Sequence, residues 1–197
     1  MRRIPQLLVL SLLAANFVSA ATWQIDTAHS SAQFAVRHLM VSTVRGEFGG
    51  VKGKVEYDDA DPSKAKLDAT IDVATIVTRE PKRDAHLKSA DFFDVAKFPL
   101  IEFHGKEFAR EGQGKLRIMG ALTMHGVTRD VTLDVEGPSP ELKEAGGRSR
   151  IGASATLKIS RKDFGMMWNR VIEAGGVTIS DEVAITLDVE LVRSAGQ

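Results

Sequence analysis

The chain has 197 residues, with 26 basic and 26 acidic side chains and no cysteine. The charges are interspersed rather than grouped, a pattern that favours neither nucleic acid nor an anionic membrane surface as a partner. The lack of cysteine excludes disulfides, thiolate metal ligands and a lipid-modified cysteine anchor.

The first 20 residues have the composition of a cleavable secretory signal. Arg2 and Arg3 precede an apolar run over residues 7–18, and small or aliphatic residues lead up to Ala20. A membrane anchor is the alternative, but the run is too short to span a bilayer comfortably. We expect cleavage after Ala20, export to the periplasm and one mature domain over residues 21–197. Removing the two arginines leaves 24 basic against 26 acidic residues, a formal net charge of −2.

Alternation of apolar and polar residues dominates the mature chain and predicts about eight antiparallel strands. The segments that carry the pattern are Ala32–Leu39, Val44–Tyr57, Leu67–Val73, Leu100–Phe108, Leu116–Met124, Val127–Val135, Ile151–Ile159 and Val183–Leu191. We expect the second segment to bend at Gly49-Gly50. His125-Gly126 fits a tight hairpin turn in which glycine takes a positive φ. About eight such strands with almost no helix favour a closed barrel or a two-sheet sandwich.

Two segments interrupt the alternation with helical character. Pro81 suits the first turn of a helix that we expect over residues 82–89, followed by a turn at residues 91–93. Residues 160–165 predict a second helical turn, with the serine that opens the segment as its N-cap. Residues 136–149 are rich in Gly, Pro and Ser and are predicted to form a loop between strands.

Small residues on the inward faces of the strands suggest space inside a barrel. Gly120, Ala153 and Ala155 fall on those faces. An eight-stranded barrel can be filled by side chains or can hold one small ligand. Composition alone leaves both alternatives open, since large neighbours could fill the gap.

Motifs for chemistry are scarce. No short-spaced metal-binding pair, nucleophile elbow, phosphate-binding glycine loop or dinucleotide fingerprint occurs among the residues. Asp84 and His86 lie two residues apart on the predicted helix and therefore face different directions. The sequence thus predicts no catalytic residue, no metal site and no cofactor, while metal ligation by residues distant in sequence stays open as an alternative.

Short motifs follow one another in a fixed order along nearly all of the mature chain. They are WQIDTAHS at Trp23–Ser30, FAVRHL at Phe34–Leu39, KRDAHLKSADFFD at Lys82–Asp94, GALTMHGVT at Gly120–Thr128, RKDFG at Arg161–Gly165 and ISDEV at Ile179–Val183. Together they resemble the YceI family of periplasmic polyisoprenoid-binding proteins. The resemblance implies an all-β fold, an eight-stranded antiparallel lipocalin-like barrel with one short helix over the barrel end. It also implies an apolar cavity for long-chain amphiphiles and no catalytic residues.

A ligand barrel of this kind is lined mostly by apolar side chains, with a few polar groups that fix orientation. His38 shares a strand face with Phe34 and Val36, and this face is expected to point inward. His38 could hydrogen-bond a quinone carbonyl, an amide or a phosphate oxygen, or it could be a core histidine bonded to backbone. Phe92 and Phe93 are expected to plug the barrel end. The candidate ligand contacts are therefore Phe34, Val36, His38, Phe92, Phe93, Gly120, Ala153 and Ala155.

Arg37, Asp84 and His86 are candidates for headgroup contact or for anchoring the helix. Arg37 should point outward, unless a bulge reverses the strand faces. Alternatively, Arg37 could pair with Asp84 or Asp91 and hold the helix over the barrel end.

The leading hypothesis is that the protein carries or buffers an isoprenoid-like lipid or quinone. We do not expect it to be an integral membrane protein. Burial of a nearly insoluble lipid gains about 0.8 kcal/mol for each methylene that leaves water. One alternative is an exported enzyme that uses His38 or His86 as a base on such a lipid. Another is a structural barrel with a filled core. A homodimer is compatible with the sequence.

Overall fold

The computed structural model describes residues 21–171 and 177–194. The predicted signal peptide, residues 1–20, lies outside the described residues. Within them the chain forms one antiparallel sheet of eleven strands, together with one α-helix and three short 3-10 turns. The strands are β1 Ala21–Ile25, β2 Ser31–His38, β3 Ser42–Phe48, β4 Lys52–Tyr57, β5 Lys66–Asp72, β6 Leu100–Arg110, β7 Lys115–Met124, β8 Val127–Glu136, β9 Leu142–Lys143, β10 Ser149–Ser160 and β11 Ile179–Arg193.

Eight strands close into a barrel. Their order around the ring is β11, β1, β4, β5, β6, β7, β8 and β10, and β10 pairs again with β11. The β10–β11 ladder is long, running from Ser149 opposite Arg193 to Ser160 opposite Glu182. The β8–β10 contact is short and covers only residues 154–156 of β10. The predicted all-β, eight-stranded antiparallel barrel is confirmed.

Strands β2 and β3 extend the barrel wall at one end. Strand β11 pairs with β1 at Gln24 and Ile25, and along its first half it pairs with β2. Strands β1 and β2 therefore act as one interrupted strand, and β3 and β4 do the same. The prediction of a single bent strand over residues 44–57 is corrected to two strands, because the chain leaves the ladder at Gly49-Gly50, where Gly50 takes φ 69°. The hydroxyl of Thr75 donates to the carbonyl of Gly49 and holds this corner.

The alternating apolar residues face the barrel interior, as period-two patterning requires. Trp23, Ile118, Leu133, Ile151 and Leu191 come from five different strands and are all buried in one core. The polar residues between them face outward, so the sheet itself sets the direction of every candidate cavity residue.

The helix α1 covers residues Pro81–Lys88, one position earlier than predicted. Pro81 occupies its first turn, and the side chain of Glu80 accepts a hydrogen bond from the Lys82 amide. A turn through residues 91–93 follows it, as expected. Two 3-10 turns, Pro62–Lys64 and Val73–Thr75, lie between β4 and α1.

The remaining local predictions are partly correct. A 3-10 turn forms at Arg161–Phe164, but Ser160 makes no side-chain cap bond. The β7–β8 turn places His125 and Gly126 at φ 52° and 73°, as the hairpin requires. The predicted loop at residues 136–149 contains the two-residue strand β9, which pairs with the start of β10. The strand predicted over residues 32–39 ends at His38, since Leu39 takes φ 51°.

Two ends of the barrel are distinguished below. The helix end carries α1, the last residue of β2 and the first residues of β11. The Arg150 end carries Asp26, Arg150 and Glu190, which form ion pairs. Among the residues that the structure describes, no helix is long and apolar enough to cross a membrane.

Candidate functional site

A cavity of about 480 Å³ runs through the barrel interior. At the helix end its wall includes Phe92 and Trp168, and toward the Arg150 end it includes Tyr57 and Leu191. Most of the wall is aliphatic or aromatic, because each strand turns its apolar face inward. The volume falls within the range of pockets that hold small molecules.

The structure places most of the predicted ligand contacts in this wall. Seven of them line the cavity: Phe34, Val36, His38, Phe92, Phe93, Ala153 and Ala155. Ala153 and Ala155 lie on β10 opposite Val189 and Leu187 of β11, and their short side chains leave the space in front of them open. Contact with a ligand stays a prediction for all seven.

Gly120 differs from the other seven, and the expected space in front of it is absent. The ring of Phe103 and the carbonyl of His104, both on β6, lie where a Cβ atom at position 120 would be. Glycine is required here because the neighbouring strand and its aromatic ring approach the β7 backbone closely. Gly120 therefore serves packing of the wall and does not widen the cavity.

Three aromatic rings meet at the helix end. The ring centroids of Phe92 and Trp168 are 5.2 Å apart, and the imidazole of His86 lies edge-on to both, at 5.0 Å and 4.9 Å. The His86 Nε2 atom is also 2.8 Å from a carboxylate oxygen of Asp91. This aromatic cluster, His86, Phe92 and Trp168, joins α1 to the segment that follows the Arg161–Phe164 turn.

A second group of rings continues from the same end along the wall. Phe93 packs edge-on to Phe48, and Phe48 packs against Phe34, with centroids 5.6 Å apart in each pair. Phe92 and Phe93 thus point to different sides of the barrel end, and together they narrow it. Aromatic pairs of this geometry contribute about 0.5–1.5 kcal/mol beyond the area that they bury.

His38 is distinguished from the other four histidines by its bonding. His29, His86 and His104 each contact an aspartate, and His125 contacts the carbonyl of Phe164. In residues 21–171 and 177–194 no hydrogen bond to the His38 ring is found, although the ring lines the cavity. Its ring nitrogens are therefore available to a polar group inside the cavity.

Arg37 does not pair with Asp84 or Asp91, contrary to the prediction. Its guanidinium donates to the carbonyl of Met40 at 2.8 Å and to the hydroxyl of Thr43 at 3.1 Å, both within its own hairpin. The side chain points outward, as expected, and it stabilises the β2–β3 turn instead of α1.

Asp84 and Arg83 both anchor the helix through Thr78. The Asp84 carboxylate accepts from the amide and hydroxyl of Thr78, and the Arg83 guanidinium donates to the hydroxyl and carbonyl of the same residue. Thr78 is buried, so these bonds fix the start of α1 against the barrel. Arg83, which was not predicted, also lines the cavity, while Asp84 does not.

Arg161 is a second functional residue that the sequence did not predict. It is 4% exposed, and it donates to the carbonyls of Met166, Trp168 and Ser180 at 2.6, 2.8 and 3.0 Å. Burial lowers the pKa of its guanidinium, and the carboxylate of Asp181, 3.1 Å away, works in the opposite direction. These bonds hold the backbone on both sides of Met167 and so position Trp168 at the cavity. The RKDFG motif was the signal that could have indicated such a role.

The Arg150 end contains the one cluster among the described residues with metal-ligand chemistry, namely Asp26, His29 and Glu190. The guanidinium of Arg150 lies among these groups, 2.8 Å from Asp26, and it also contacts Glu190 and Glu144. Hydrogen bonds from Arg150 and His29 lower the pKa of Asp26 to about 2. The cluster is an ion-pair network in which an arginine supplies the positive charge.

Sequence relatives share most of the chain. A family model described as a YceI-like domain matches residues 23–191. A UPF0312 protein of Staphylococcus aureus strain N315 is 36% identical over 165 residues, which are 84% of this chain and 94% of that protein. A UPF0312 protein of Shewanella denitrificans strain OS217 is 38% identical over 165 residues, which are 83% of this chain and 86% of its own length.

Solved structures share the barrel. The YceI protein of Campylobacter jejuni has 32% identity and a TM-score of 0.68, covering 80% of this chain and 90% of that one. BcnA of Burkholderia cenocepacia has a TM-score of 0.72 at 22% identity, covering 86% and 99%. A domain from Saccharophagus degradans described as polyisoprenoid-binding has a TM-score of 0.60 at 16% identity, covering 87% and 98%. The motifs, the sequence relatives and the closed barrel agree, and the chain belongs to the YceI-like family.

Proposed function

We propose that the protein is a periplasmic binding or carrier protein that sequesters a long-chain isoprenoid-like lipid, such as a polyprenyl compound, a quinone or a fatty-acid derivative. The observation that carries the proposal is the apolar cavity of about 480 Å³ inside a closed barrel. The fold neighbour described as a polyisoprenoid-binding domain supports the same class of ligand.

The energetics of such a site are dominated by the lipid tail. Each methylene that leaves water contributes about 0.8 kcal/mol, so ten of them contribute about 8 kcal/mol. That amount corresponds to a dissociation constant of about 1 μM before the cost of ordering the chain is subtracted. An aliphatic and aromatic wall can therefore bind the lipid with few directed contacts.

The polar groups of the wall give the bound lipid a direction. His38, Arg83 and Thr178 line the cavity at the helix end. Toward the Arg150 end the wall includes Leu116, Leu191 and Tyr57, and the Tyr57 hydroxyl already donates to the carboxylate of Asp59. A polar headgroup is stabilised beside the polar side chains of the helix end, and the lipid tail is stabilised along the apolar wall toward the Arg150 end. We place the headgroup at the helix end, with His38 as its hydrogen-bond partner.

Binding without turnover is the simpler use of this wall. The His86 ring is bonded to Asp91 and packs edge-on against Phe92 and Trp168, and these contacts connect α1 to the segment that carries Trp168. His38 stands in an apolar wall, and within residues 21–171 and 177–194 no carboxylate is bonded to its ring to orient it as a general base.

The decisive experiment is native mass spectrometry of the full-length gene product purified from the periplasm, followed by extraction and identification of bound lipid. N-terminal sequencing of the same sample should begin at Ala21. We expect one isoprenoid-like molecule for each folded chain. Protein that is empty and takes up no added polyprenyl lipid would contradict the proposal, and conversion of that lipid into a product would favour the enzyme alternative.

A further inference from the structure

Exposed apolar side chains are concentrated at the helix end of the barrel. Leu39, Met40 and Val41 form the tip of the β2–β3 hairpin, and Val41 is 81% exposed. Met167 and Val171 are also exposed, Val171 to 85%. We refer to these five residues as the apolar rim.

Backbone hydrogen bonds place the two parts of the rim side by side. The Leu39 amide donates to the Thr178 carbonyl at 2.8 Å, and the Thr178 amide donates to the Arg170 carbonyl at 2.9 Å. Three backbone segments therefore run next to one another, and with neighbouring strands about 4.8 Å apart the hairpin tip lies about 10 Å from Arg170. Val171 follows Arg170 directly, so the tip and Val171 belong to one surface.

The rim is continuous with the cavity wall. His38 immediately precedes the hairpin tip, Trp168 immediately follows Met167, and Thr178 lies between the two parts of the rim. His38, Trp168 and Thr178 all line the cavity, whereas the rim residues do not. The exposed apolar surface thus borders the end of the barrel at which the proposed headgroup site lies.

The hairpin tip is held in an unfavourable backbone conformation that presents these side chains. Leu39 and Met40 take φ values of 51° and 58°, which non-glycine residues seldom adopt. The Val41 amide donates to the His38 carbonyl, and the Arg37 guanidinium donates to the Met40 carbonyl. Glycine or asparagine would relieve both the strain and the apolar exposure, so a leucine and a methionine here indicate a surface that is used.

The chemistry of the rim fits a phospholipid surface better than a second protein. The rim is divided between two loop tips, and the exposed area of its five side chains is below the roughly 800 Å² that each partner buries in a stable protein interface. Arg37 is exposed beside the tip, and within the described chain it makes no salt bridge to a carboxylate. The Arg170 guanidinium lies over the Trp168 ring, 5.7 Å from its centroid. Apolar tips flanked by arginine and an indole are typical of segments at the boundary between headgroups and acyl chains.

We propose that the apolar rim docks the helix end of the barrel onto a phospholipid bilayer, which brings the cavity to the membrane for exchange of its ligand. This inference rests on the proposed function for its purpose, but docking itself can be measured without any ligand. Anionic phospholipids should strengthen it, because Arg37 and Arg170 place a local positive charge beside the rim, although the mature chain has a formal net charge of −2.

The test is sedimentation of the mature protein with vesicles of phosphatidylcholine, alone and mixed with phosphatidylglycerol. Val41→Asp and, independently, Val171→Asp should lower vesicle binding about tenfold or more, because each loses the burial of one apolar side chain and adds a charge. The matched control is Leu142→Asp, since Leu142 on β9 is 61% exposed but lies toward the Arg150 end. The control should bind vesicles as the unaltered protein does, and melting curves confirm that all three variants are folded.

Failure of docking and failure of the proposed function give different results. Lipid added from ethanol solution should load equally into the unaltered protein and Val41→Asp, because Val41 does not line the cavity. The docking proposal would be overturned if the unaltered protein did not bind vesicles, or if Val41→Asp bound them as well as the unaltered protein does. It would also be overturned if Leu142→Asp lost as much vesicle binding as Val41→Asp. A dimer in sedimentation velocity that depends on Val41 and forms without vesicle binding would overturn it too. Absence of lipid loading would instead overturn the carrier function and leave the vesicle result standing.

Discussion

The imidazole of His86 and the indole of Trp168 meet edge to face, with ring centroids 4.9 Å apart and ring planes at 88°. One ring comes from α1 and the other from the segment after the Arg161–Phe164 turn, so the pair connects two elements that are far apart in sequence. Since both rings line the cavity, the contact also narrows the helix end.

Trp168→Ala should open this end of the barrel. We expect a loss of about 1–3 kcal/mol in the free energy of unfolding, because the indole is half-buried and loses two aromatic partners. Bound lipid should dissociate faster, with a smaller change in the amount of lipid bound. Dissociation followed by exchange into excess vesicles measures the rate.

The matched variant is Trp168→Phe, which keeps an aromatic ring against Phe92. Trp23 is then the only tryptophan in the chain. This variant should retain most of the free energy of unfolding, and bound lipid should dissociate from it about as slowly as from the unaltered protein. Equal dissociation rates for the alanine variant and the unaltered protein would show that Trp168 does not restrict the exit of the ligand.

Ala155→Trp should reduce lipid uptake while the barrel stays folded. Ala155 lines the cavity, so an indole at this position fills space that a lipid tail would use. Overpacking costs about 1–3 kcal/mol, and far-UV circular dichroism with a melting curve checks that the fold survives.

The control for Ala155→Trp is Thr156→Trp on the same strand. Thr156 is exposed on the outer face of β10, so its replacement adds an equal side chain outside the cavity. Native mass spectrometry of both variants with added lipid gives the stoichiometry. Full occupancy in a folded Ala155→Trp protein would mean that the lipid does not occupy the middle of the barrel.

The Asp26 carboxylate makes the stability of the folded protein fall at acid pH. Hydrogen bonds from Arg150 and His29 lower the pKa of Asp26 from 3.8 to about 2 in the folded protein. Because the folded state favours the carboxylate, this contribution is present above pH 3.8 and is lost as the pH falls toward 2. The melting temperature should therefore drop across that interval.

Asp26→Asn should melt at a lower temperature near neutral pH and should show a shallower drop in acid. The melting temperatures of the two proteins, plotted against pH, should converge below about pH 2, where Asp26 of the unaltered protein is mostly protonated. Glu144 retains its own interaction with Arg150, which lowers its pKa too, so some acid sensitivity should remain in the variant. Parallel curves for the two proteins would show that Asp26 makes no pH-dependent contribution.

Tyr57 offers a spectroscopic test at alkaline pH, because it is the only tyrosine of the chain. Burial, together with a hydrogen bond to Asp59, raises the pKa of its hydroxyl from 10.0 to about 12. The folded state thus favours the protonated phenol, and this contribution to stability is present below pH 10 and is lost as the pH rises toward 12. Tyrosinate absorbance should show one transition near the higher value, and Asp59→Asn should move it downward. A transition at 10 in the folded protein would place the ring in solvent.

The period-two patterning predicted the inward faces of the strands well, because every inward side chain in a closed sheet is fixed by the pleat. It could not predict the space in front of a given residue. Ala155 and Gly120 are both small and inward-facing, yet Phe103 of the neighbouring strand covers Gly120, whereas Ala155 lines the cavity. That difference depends on how β6 pairs with β7, and the residue pattern of a single strand does not predict this pairing.

The polar contacts of the helix end were predicted less well, for a related reason. Arg37 bonds its own hairpin because Leu39 and Met40 take left-handed conformations, which their side chains do not indicate. Trp168 lies in a segment without periodicity, and its place is set by the buried guanidinium of Arg161. Such contacts depend on tertiary hydrogen bonds and not on local pattern.

His38→Ala should weaken binding of a lipid with a polar headgroup and leave binding of a plain hydrocarbon of the same length nearly unchanged. The ring lines the cavity and has no hydrogen bond within residues 21–171 and 177–194, so its loss leaves no described partner unsatisfied. The expected loss is about 0.5–1.5 kcal/mol for a neutral headgroup and about 1.5–3 kcal/mol for a charged one. Since the tail contributes most of the affinity, binding should be weakened and not abolished.

The matched control is His104→Ala, because His104 is an exposed histidine that contacts Asp68 outside the cavity. It should bind both ligands as the unaltered protein does. Fluorescence titration with the two ligands, together with a melting curve for each protein, separates the roles that His38 could have. If His38 has a structural role, His38→Ala should melt at a lower temperature and bind both ligands more weakly. If His38 has a catalytic role, the unaltered protein should convert the lipid into a product and the variant should not. Equal affinity for the polar lipid in a folded His38→Ala protein would remove His38 from the headgroup site.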